Sequence, residues 1–318
     1  MNPVCPICSA QSVLHRSDLY DDRYAYPGRF HVYRCQSCAH AFTNFMPSST
    51  EVAKLYSDYY PRRNYDPSTW HPPQDPRGFV SWLWGRKGGA YAWVPERVRV
   101  LDVGTGAGES LGYHNARGCQ AVGMDPDANV ERIAREKNLQ IKIGLFSNTD
   151  IQGESFDYVT MNQVIEHFVD PIEVMKEAAR VLVPGGRLIM GTPNYRGLLA
   201  RLFGARWIHW HIPYHIHFFS RQSMQKAASL AGLELESVNM VTESDWMFFQ
   251  ICHALTRPAP ESASRFWSVG EQRPLLTKLA MGLALIPRFL RLTHLWTRML
   301  DAMGAGDNVV YICRKPSR

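Results

Sequence analysis

Two hydrophobic rhythms organise the chain. "VRVLDV", residues 98–103, is a continuous apolar run broken only by Asp102. After the glycine-rich "GTGAG" helical residues resume, and a second run, "QAVGMD", ends on Asp125. Strand, tight turn, helix and strand in that order predict a parallel α/β unit. "RFHVYRC" alternates apolar and polar positions as a half-buried strand does, and "YDDRYAYPG" before it carries turn residues. "PSSTEVAKLYSDYY" opens with a capping pattern, Ser49 or Thr50 before Glu51, and predicts a helix through Tyr60 that Pro61 ends. The stretch 61–95, rich in Pro, Gly and Trp, reads as a connector against the main domain, with "WLWGRKGGAYAW" a broken helix.

Toward the other end, "LELESVNMV" and "NVVYICRK" read as strands, with about sixty residues between them that a minimal sheet does not need. "PLLTKLAMGLALIP" is apolar almost all round. In "RFLRLTHLWTRML", Arg288, Arg291, His294 and Arg298 follow at helical spacing on one face. Such helices fit a lid over a ligand pocket, a contact with an anionic membrane surface, or ordinary packing on the core.

Composition narrows the class. The 318 residues, 45% hydrophobic and 20% charged, suffice for one large core and a small satellite. Net charge is +6 and the pI about 8.9. The basic residues are scattered in pairs such as Arg62-Arg63 and Arg86-Lys87, which argues against a nucleic-acid partner. No leader-like pattern opens the sequence and no apolar run reaches membrane-spanning length, so a cytoplasmic location is expected. In a reducing compartment the seven cysteines are ligands or core thiols rather than disulfides.

Four of them form two knuckles. "CPIC" holds Cys5 and Cys8, "CQSC" holds Cys35 and Cys38, and 26 residues separate the pairs. Two thiolates on each of two tight turns satisfy the tetrahedral preference of Zn²⁺ and leave no position for water, so a structural zinc ribbon is expected over residues 1–46. His40 is expected near the shell or on the surface. Cys119, Cys252 and Cys313 sit in apolar contexts and read as core thiols.

The glycine turn raises the question of its ligand. Gly104, Gly106 and Gly108 are spaced GxGxG rather than the GxGxxG of a dinucleotide fingerprint, and Asp125 follows Asp102 by 23 residues. A carboxylate at the end of the second strand suits ribose hydroxyls, so the ligand has a ribose without a diphosphate.

From these residues onward the sequence resembles class I S-adenosylmethionine-dependent methyltransferases. "FDYVTMNQVIEHFVDPIEVMKEAARVLVPGGRLIMGTPN", residues 156–194, is similar to that family's fourth strand, helix, Pro-Gly-Gly turn and fifth strand. "RWIHWHIPYHIHFFSRQSMQKAASLAGLELESV" resembles the ubiquinone-pathway and sugar methyltransferases. The resemblance implies a doubly wound Rossmann-like α/β domain over 97–318, with a helical insertion near 244–304 and a connector over 47–96. It implies that Asp102 and the turn Gly104, Thr105, Gly106 and Gly108 take the methionine end of the cofactor, and that Asp125 takes the ribose. Leu145 and Phe146 flank the adenine, and Asn162 and Gln163 stand beside the transferred methyl.

Methyl transfer needs positioning and, where the acceptor loses a proton, a base. Glu166-His167 lies at the carboxyl edge of the sheet, and His209, His211, His215 and His217 lie in the aromatic loop "WIHWHIPYHIHFF". His167 and His215 are the expected base and orienting group, with Glu166 as a further catalytic candidate; His209 and His211 are expected at the rim. The expected acceptor is a small hydroxylated molecule, a sugar, an aromatic or a lipid-linked intermediate. RNA methylation through the ribbon and a non-catalytic adenosyl-binding scaffold are the alternatives.

Overall fold

A computed structural model describes residues 2–59, 68–76, 78–83, 88–147, 151–267 and 275–317. The N-terminal part carries β1 (Ser12–Leu19), β2 (Phe30–Cys35) and β3 (Ala41–Thr43), then α1 (Ser49–Lys54) and α2 (Phe79–Leu83). The central part runs β4 (Arg99–Val103), α3 (Glu109–Ala116), β5 (Gln120–Asp125), α4 (Val130–Glu136), β6 (Ile141–Ile143), β7 (Phe156–Asn162), α5 (Pro171–Val181) and β8 (Leu182–Pro193). There follow α6 (Leu198–Phe203), β9 (His217–Phe218), α7 (Arg221–Leu230) and β10 (Glu234–Met240). The chain closes with α8 (Ser244–Leu255), α9 (Leu275–Phe289), α10 (Leu292–Ala302) and β11 (Asn308–Arg314).

Seven strands form the main sheet in the order β10-β11-β8-β7-β4-β5-β6. β11 is antiparallel to both neighbours and the other pairings are parallel. Chain order reverses between β4 and β7, so their carboxyl ends open the crevice where such sheets bind ligands. The strands read as unbroken apolar runs because helices cover both faces: Val100, Leu101, Val159, Leu188 and Ile189 are fully buried. α5 starts sharply because Asp170 accepts from the amides of Ile172 and Glu173 and Pro171 needs no partner for its nitrogen. The expected α/β sheet with an N-terminal ribbon and a C-terminal helical insertion is the observed architecture.

The ribbon is not self-contained. Its sheet has the order β1-β2-β3-β9, and the edge strand β9 comes from the aromatic loop, with Ala41 opposite Phe218 and Phe42 opposite His217.

Several local expectations need correction. Ser48, not Ser49 or Thr50, caps α1, in a reciprocal box with Glu51. The helix loosens to a π turn at Leu55–Tyr59, and its expected end at Tyr60-Pro61 lies outside the described residues. Glu166-His167 lies in a 3₁₀ turn, Ile165–His167, because Asp170 and Pro171 start the helix later. The Pro-Gly-Gly segment is a bulged part of β8 rather than a free turn. The expected cationic face is split: the chain breaks between α9 and α10, Arg288 pairs with Asp245 at 3.1 Å, and Arg298 is buried with its guanidinium on the Thr242 carbonyl.

Candidate functional site

β4 carries Asp102 and the glycine turn to the carboxyl edge of the sheet. Gly104, Gly106 and Gly108 have φ of +68°, +55° and +76°, a region in which a side chain is strained. Space is also short: a Cβ on Gly104 would lie 2.5 Å from Val164 Cγ2, and one on Gly108 2.7 Å from Leu139 Cδ1. Asp102 is buried and accepts from Thr160 Oγ1 at 2.5 Å and from the Ser110 hydroxyl. Burial raises its carboxyl above the usual range, and the two hydroxyls offset part of that shift. Thr105 is buried in the turn, its methyl against Gly123.

Asp125 ends β5 and braces the turn. Its Oδ2 accepts the Gly106 amide at 2.8 Å and its Oδ1 accepts the Asp127 amide at 2.9 Å. Each carboxylate oxygen has capacity for a second donor. A residue that sequence reasoning passed over closes the other side: the Trp70 indole donates to the Ala107 carbonyl at 2.9 Å, laying the connector across the turn.

Asn162 ends β7 exposed, with its Oδ1 accepting the Ala90 amide at 3.0 Å. Gly89 and Gly191 are glycine because the Asn162 amide occupies the space a Cβ would need, at 2.3 Å and 2.6 Å respectively. Gln163 adopts φ +59°, its amide donating to Gly191 O at 2.7 Å and its side chain to Asn308 Oδ1 at 3.1 Å. Leu145 and Phe146 part company: Leu145 is 65% exposed, whereas Phe146 is buried in the main core. Only Leu145 offers an open surface.

The tertiary structure brings Glu166, His167 and His215 together, with one donor atom from each lying within 4.8 Å of the others. The two imidazole rings meet edge to face at 4.7 Å. His167 Nδ1 lies 2.9 Å from the Tyr214 carbonyl and His215 Nδ1 2.9 Å from the His209 carbonyl. A carbonyl only accepts, so both rings hold their proton on Nδ1 and leave Nε2 unprotonated. Burial lowers the His167 pKa to about 4 and the His215 pKa well below its ordinary value. Glu166 is fully buried, and burial pushes its carboxyl up to about 8, with nearby backbone amides and the Thr192 hydroxyl offsetting part of the shift. At neutral pH two uncharged imidazoles therefore face a protonated carboxyl. Tyr56, from the π turn, adds its hydroxyl 3.2 Å from His167 Nδ1.

His209 and His211 are not rim residues. Both are buried, His209 with Nε2 3.1 Å from Asp307 Oδ2 and His211 packed on the rings of Tyr24, Tyr214 and His215. His40 is fully buried and shares a hydrogen bond of 3.0 Å with His217.

In the ribbon, the sulfurs of Cys5 and Cys38 lie 3.7 Å apart, those of Cys8 and Cys35 3.5 Å, and those of Cys8 and Cys38 3.4 Å. None is in a disulfide. Backbone amides of Ile7, Ser37 and Cys38 point at the sulfurs of Cys5 and Cys35, as knuckles require. A tetrahedron of thiolates about 2.3 Å from a zinc ion has edges of about 3.8 Å, so the four sulfurs can hold one metal ion.

A cavity of about 560 Å³ opens between the connector and the C-terminal helices, walled by Gly88 and Tyr91 on one side and Glu243, Asp245, Arg288 and His294 on the other. Arg288, Arg291 and His294, on the helices that the sequence suggests as a lid, line it, whereas the nominated cofactor and catalytic residues do not. Its wall reaches the site through Gly89 and Ala90, which rest on Asn162. Its residues come from segments more than two hundred positions apart, from His71 to His294, and only the fold brings the two walls together.

A family model described as "Methyltransferase domain" matches residues 60–238. The chain is 32% identical over 168 residues to a ubiquinone biosynthesis O-methyltransferase of Xanthomonas axonopodis pv. citri (strain 306), covering 48% of this chain and 69% of that protein. It is 30% identical over 154 residues to the protein of the same name from Idiomarina loihiensis, covering 44% and 63%. Among solved structures it resembles an S-adenosylmethionine-dependent methyltransferase, described as a possible histamine N-methyltransferase, from Thermotoga maritima. That match has a TM-score of 0.47 at 22% identity and covers 74% of this chain and 88% of that one.

Proposed function

Because the chain belongs to the methyltransferase-domain family and is a class I S-adenosylmethionine-dependent methyltransferase, we propose that it methylates a small hydroxylated acceptor at oxygen or carbon: a sugar, an aromatic or a lipid-linked biosynthetic intermediate. The observation that carries this reading is the convergence of Glu166, His167 and His215 at the carboxyl edge of the sheet, just beyond Val164, which packs on Gly104 of the glycine turn.

The residues fit the cofactor. The turn at the end of β4 carries glycine at three left-handed positions and so offers a backbone surface bare of side chains there, and Asp125 stands beside it with acceptor capacity to spare. In this reading Asp125 holds the ribose hydroxyls, the turn Gly104–Gly108 backed by Asp102 holds the methionine end, and Leu145 covers the adenine. Asn162 and Gln163 border the methyl group. The sulfonium of bound S-adenosylmethionine supplies an activated methyl, so the protein's task is alignment and proton removal. One Nε2, of His167 or His215, would accept the acceptor's proton as the methyl carbon leaves the sulfur for the acceptor atom, and the other Nε2 would orient the acceptor. Glu166, protonated at neutral pH, serves as a hydrogen-bond donor rather than a base. The ribbon holds one structural Zn²⁺ through Cys5, Cys8, Cys35 and Cys38.

Two measurements test this. Titration calorimetry with S-adenosylhomocysteine should show binding that Asp125→Ala weakens about 10- to 100-fold, the loss of two hydrogen bonds to a charged acceptor; no heat from the wild type refutes the cofactor site. Turnover of His167→Ala and His215→Ala against an acceptor library should show kcat reduced by about 10²- to 10⁴-fold in the base variant, with cofactor affinity nearly intact. Wild-type kcat in both variants removes the histidines from the mechanism.

A further inference from the structure

α9 and α10 expose an apolar surface that a folded chain normally covers. Leu275, Leu279, Leu283 and Ile286 recur at helical spacing along α9, and with Phe289 and, on α10, Leu295, they are between 55% and 86% exposed. Contiguous exposed apolar surface of this kind marks a contact with a protein or a lipid surface.

Charge decides between the two. Across residues 275–302 the cations are Lys278, Arg288, Arg291 and Arg298, and the only acid is Asp301. Asp301 is buried beside Arg298 at 3.7 Å, so α9 and α10 present no exposed carboxylate. Lys278 and Arg291 are exposed among the leucines. An apolar stripe bordered by cations suits an interface with anionic headgroups above and acyl chains below. Among the described residues no helix is long and apolar enough to cross a membrane, so the contact lies in the surface plane.

The same helices wall the 560 Å³ cavity. Arg288, Phe289, Arg291 and His294 line it, and Phe289, 86% exposed, belongs to both the cavity wall and the apolar surface. The opposite wall, Gly88 and Tyr91, flanks the Gly89-Ala90 segment that rests on Asn162. We propose that α9 and α10 dock the protein on an anionic lipid bilayer and set the mouth of this cavity against the membrane, so that the acceptor is drawn from the lipid phase. Docking stands on this surface alone; the origin of the acceptor rests also on the methyl-transfer reading.

Flotation of the full chain with phosphatidylcholine vesicles, and with equal parts phosphatidylcholine and phosphatidylglycerol, tests docking without donor or acceptor, so its failure is separate from any failure of methyl transfer. The chain should float with the mixed vesicles and far less with neutral ones, and 0.5 M salt should reduce the difference. Lys278→Gln should weaken the partition about fivefold, and Leu283→Asp with Leu295→Asp about a hundredfold. Both sites are exposed, and an unchanged thermal melt shows that the fold is kept. No flotation with either vesicle overturns the proposal. So does light scattering that shows a dimer dispersed by Leu283→Asp, which would assign the surface to a second copy.

Discussion

Cys35→Ser lowers the melting temperature and methyl transfer together, although the cysteine takes no part in the chemistry. A structural Zn²⁺ contributes on the order of 10 kcal/mol to the folding of a small domain, and an incomplete shell leaves buried thiolates without their cation. Here the ribbon also holds the aromatic loop. β3 pairs with β9, the Thr43 amide donates to Ile216 O at 3.0 Å, and Ser220 Oγ donates to Cys38 O at 2.7 Å. The Tyr195 hydroxyl donates to the Ala39 carbonyl, and Ile216 in turn donates to Glu166 O at 3.0 Å. Loosening the ribbon therefore releases His215 and the Tyr214 carbonyl that orients His167. The expected loss in kcat is at least about tenfold, while S-adenosylhomocysteine affinity, assigned to β4 and β5 in the proposed reading, should change by less than about threefold. Elemental analysis should find one zinc per wild-type chain. A chain without stoichiometric metal that carries a Cys5–Cys38 disulfide overturns this account.

Acid should unfold the protein well before ordinary acid denaturation. His114, His167, His211, His215 and His217 are held uncharged, and burial is the largest cause in each; Arg117 near His114 and Arg23 near His211 and His215 add to it. The folded pKa values of His114, His167 and His217 lie at about 4, and those of His211 and His215 well below the ordinary value, against 6.5 unfolded. Between those values the unfolded chain binds protons that the native one does not, so stability is full above pH 6.5 and falls as pH drops toward 4. Each group contributes at most about 1.4 kcal/mol per pH unit in that window. Glu166 acts in the opposite sense: with its pKa raised to about 8 from 4.5, the native state holds a proton that the unfolded state releases, so its contribution improves as pH falls through that range. Asp21, Asp102 and Asp125, raised by burial, also oppose at the acid end. Glu243, raised by burial to about 7, acts in the same sense as Glu166; five histidines still outweigh two glutamates above pH 5, and the melting temperature should fall by at least about 5 °C between pH 6.5 and 5. Calorimetric scans across pH 7 to 4.5 read this directly. A flat or rising melting temperature would show that these histidines are charged or hydrated in the native state, and His167→Asn should flatten the slope in proportion.

Much of this architecture was legible because it is local. β4, β5 and β11 lie where the apolar runs end on turn residues, since a parallel or central strand must be apolar on both faces, and β10, an edge strand, shows the apolar-polar alternation of a half-buried one. The glycine turn was readable because only glycine tolerates three left-handed positions in five residues, and the cysteine knuckles because ligand spacing within a tight turn is a property of the turn itself. The histidine-rich loop was recognisable as a functional candidate, but which of its members meet His167 was not. β9 is two residues long, too short for periodicity to mark it, and it exists only because β3 offers an edge. Contacts distant in sequence bury His209 against Asp307 and Trp246 and His211 against Tyr24, although alternation with aromatics had suggested the rim, and bring His215 to Glu166. Phe146 likewise enters the core while Leu145 stays outside, a choice made by the packing around β5 and β6 rather than by hydrophobicity, which is alike in the two. The cavity and the open apolar face of α9 and α10 were decided last of all, because burial depends on what the rest of the chain leaves uncovered, and only the assembled tertiary structure carries that information.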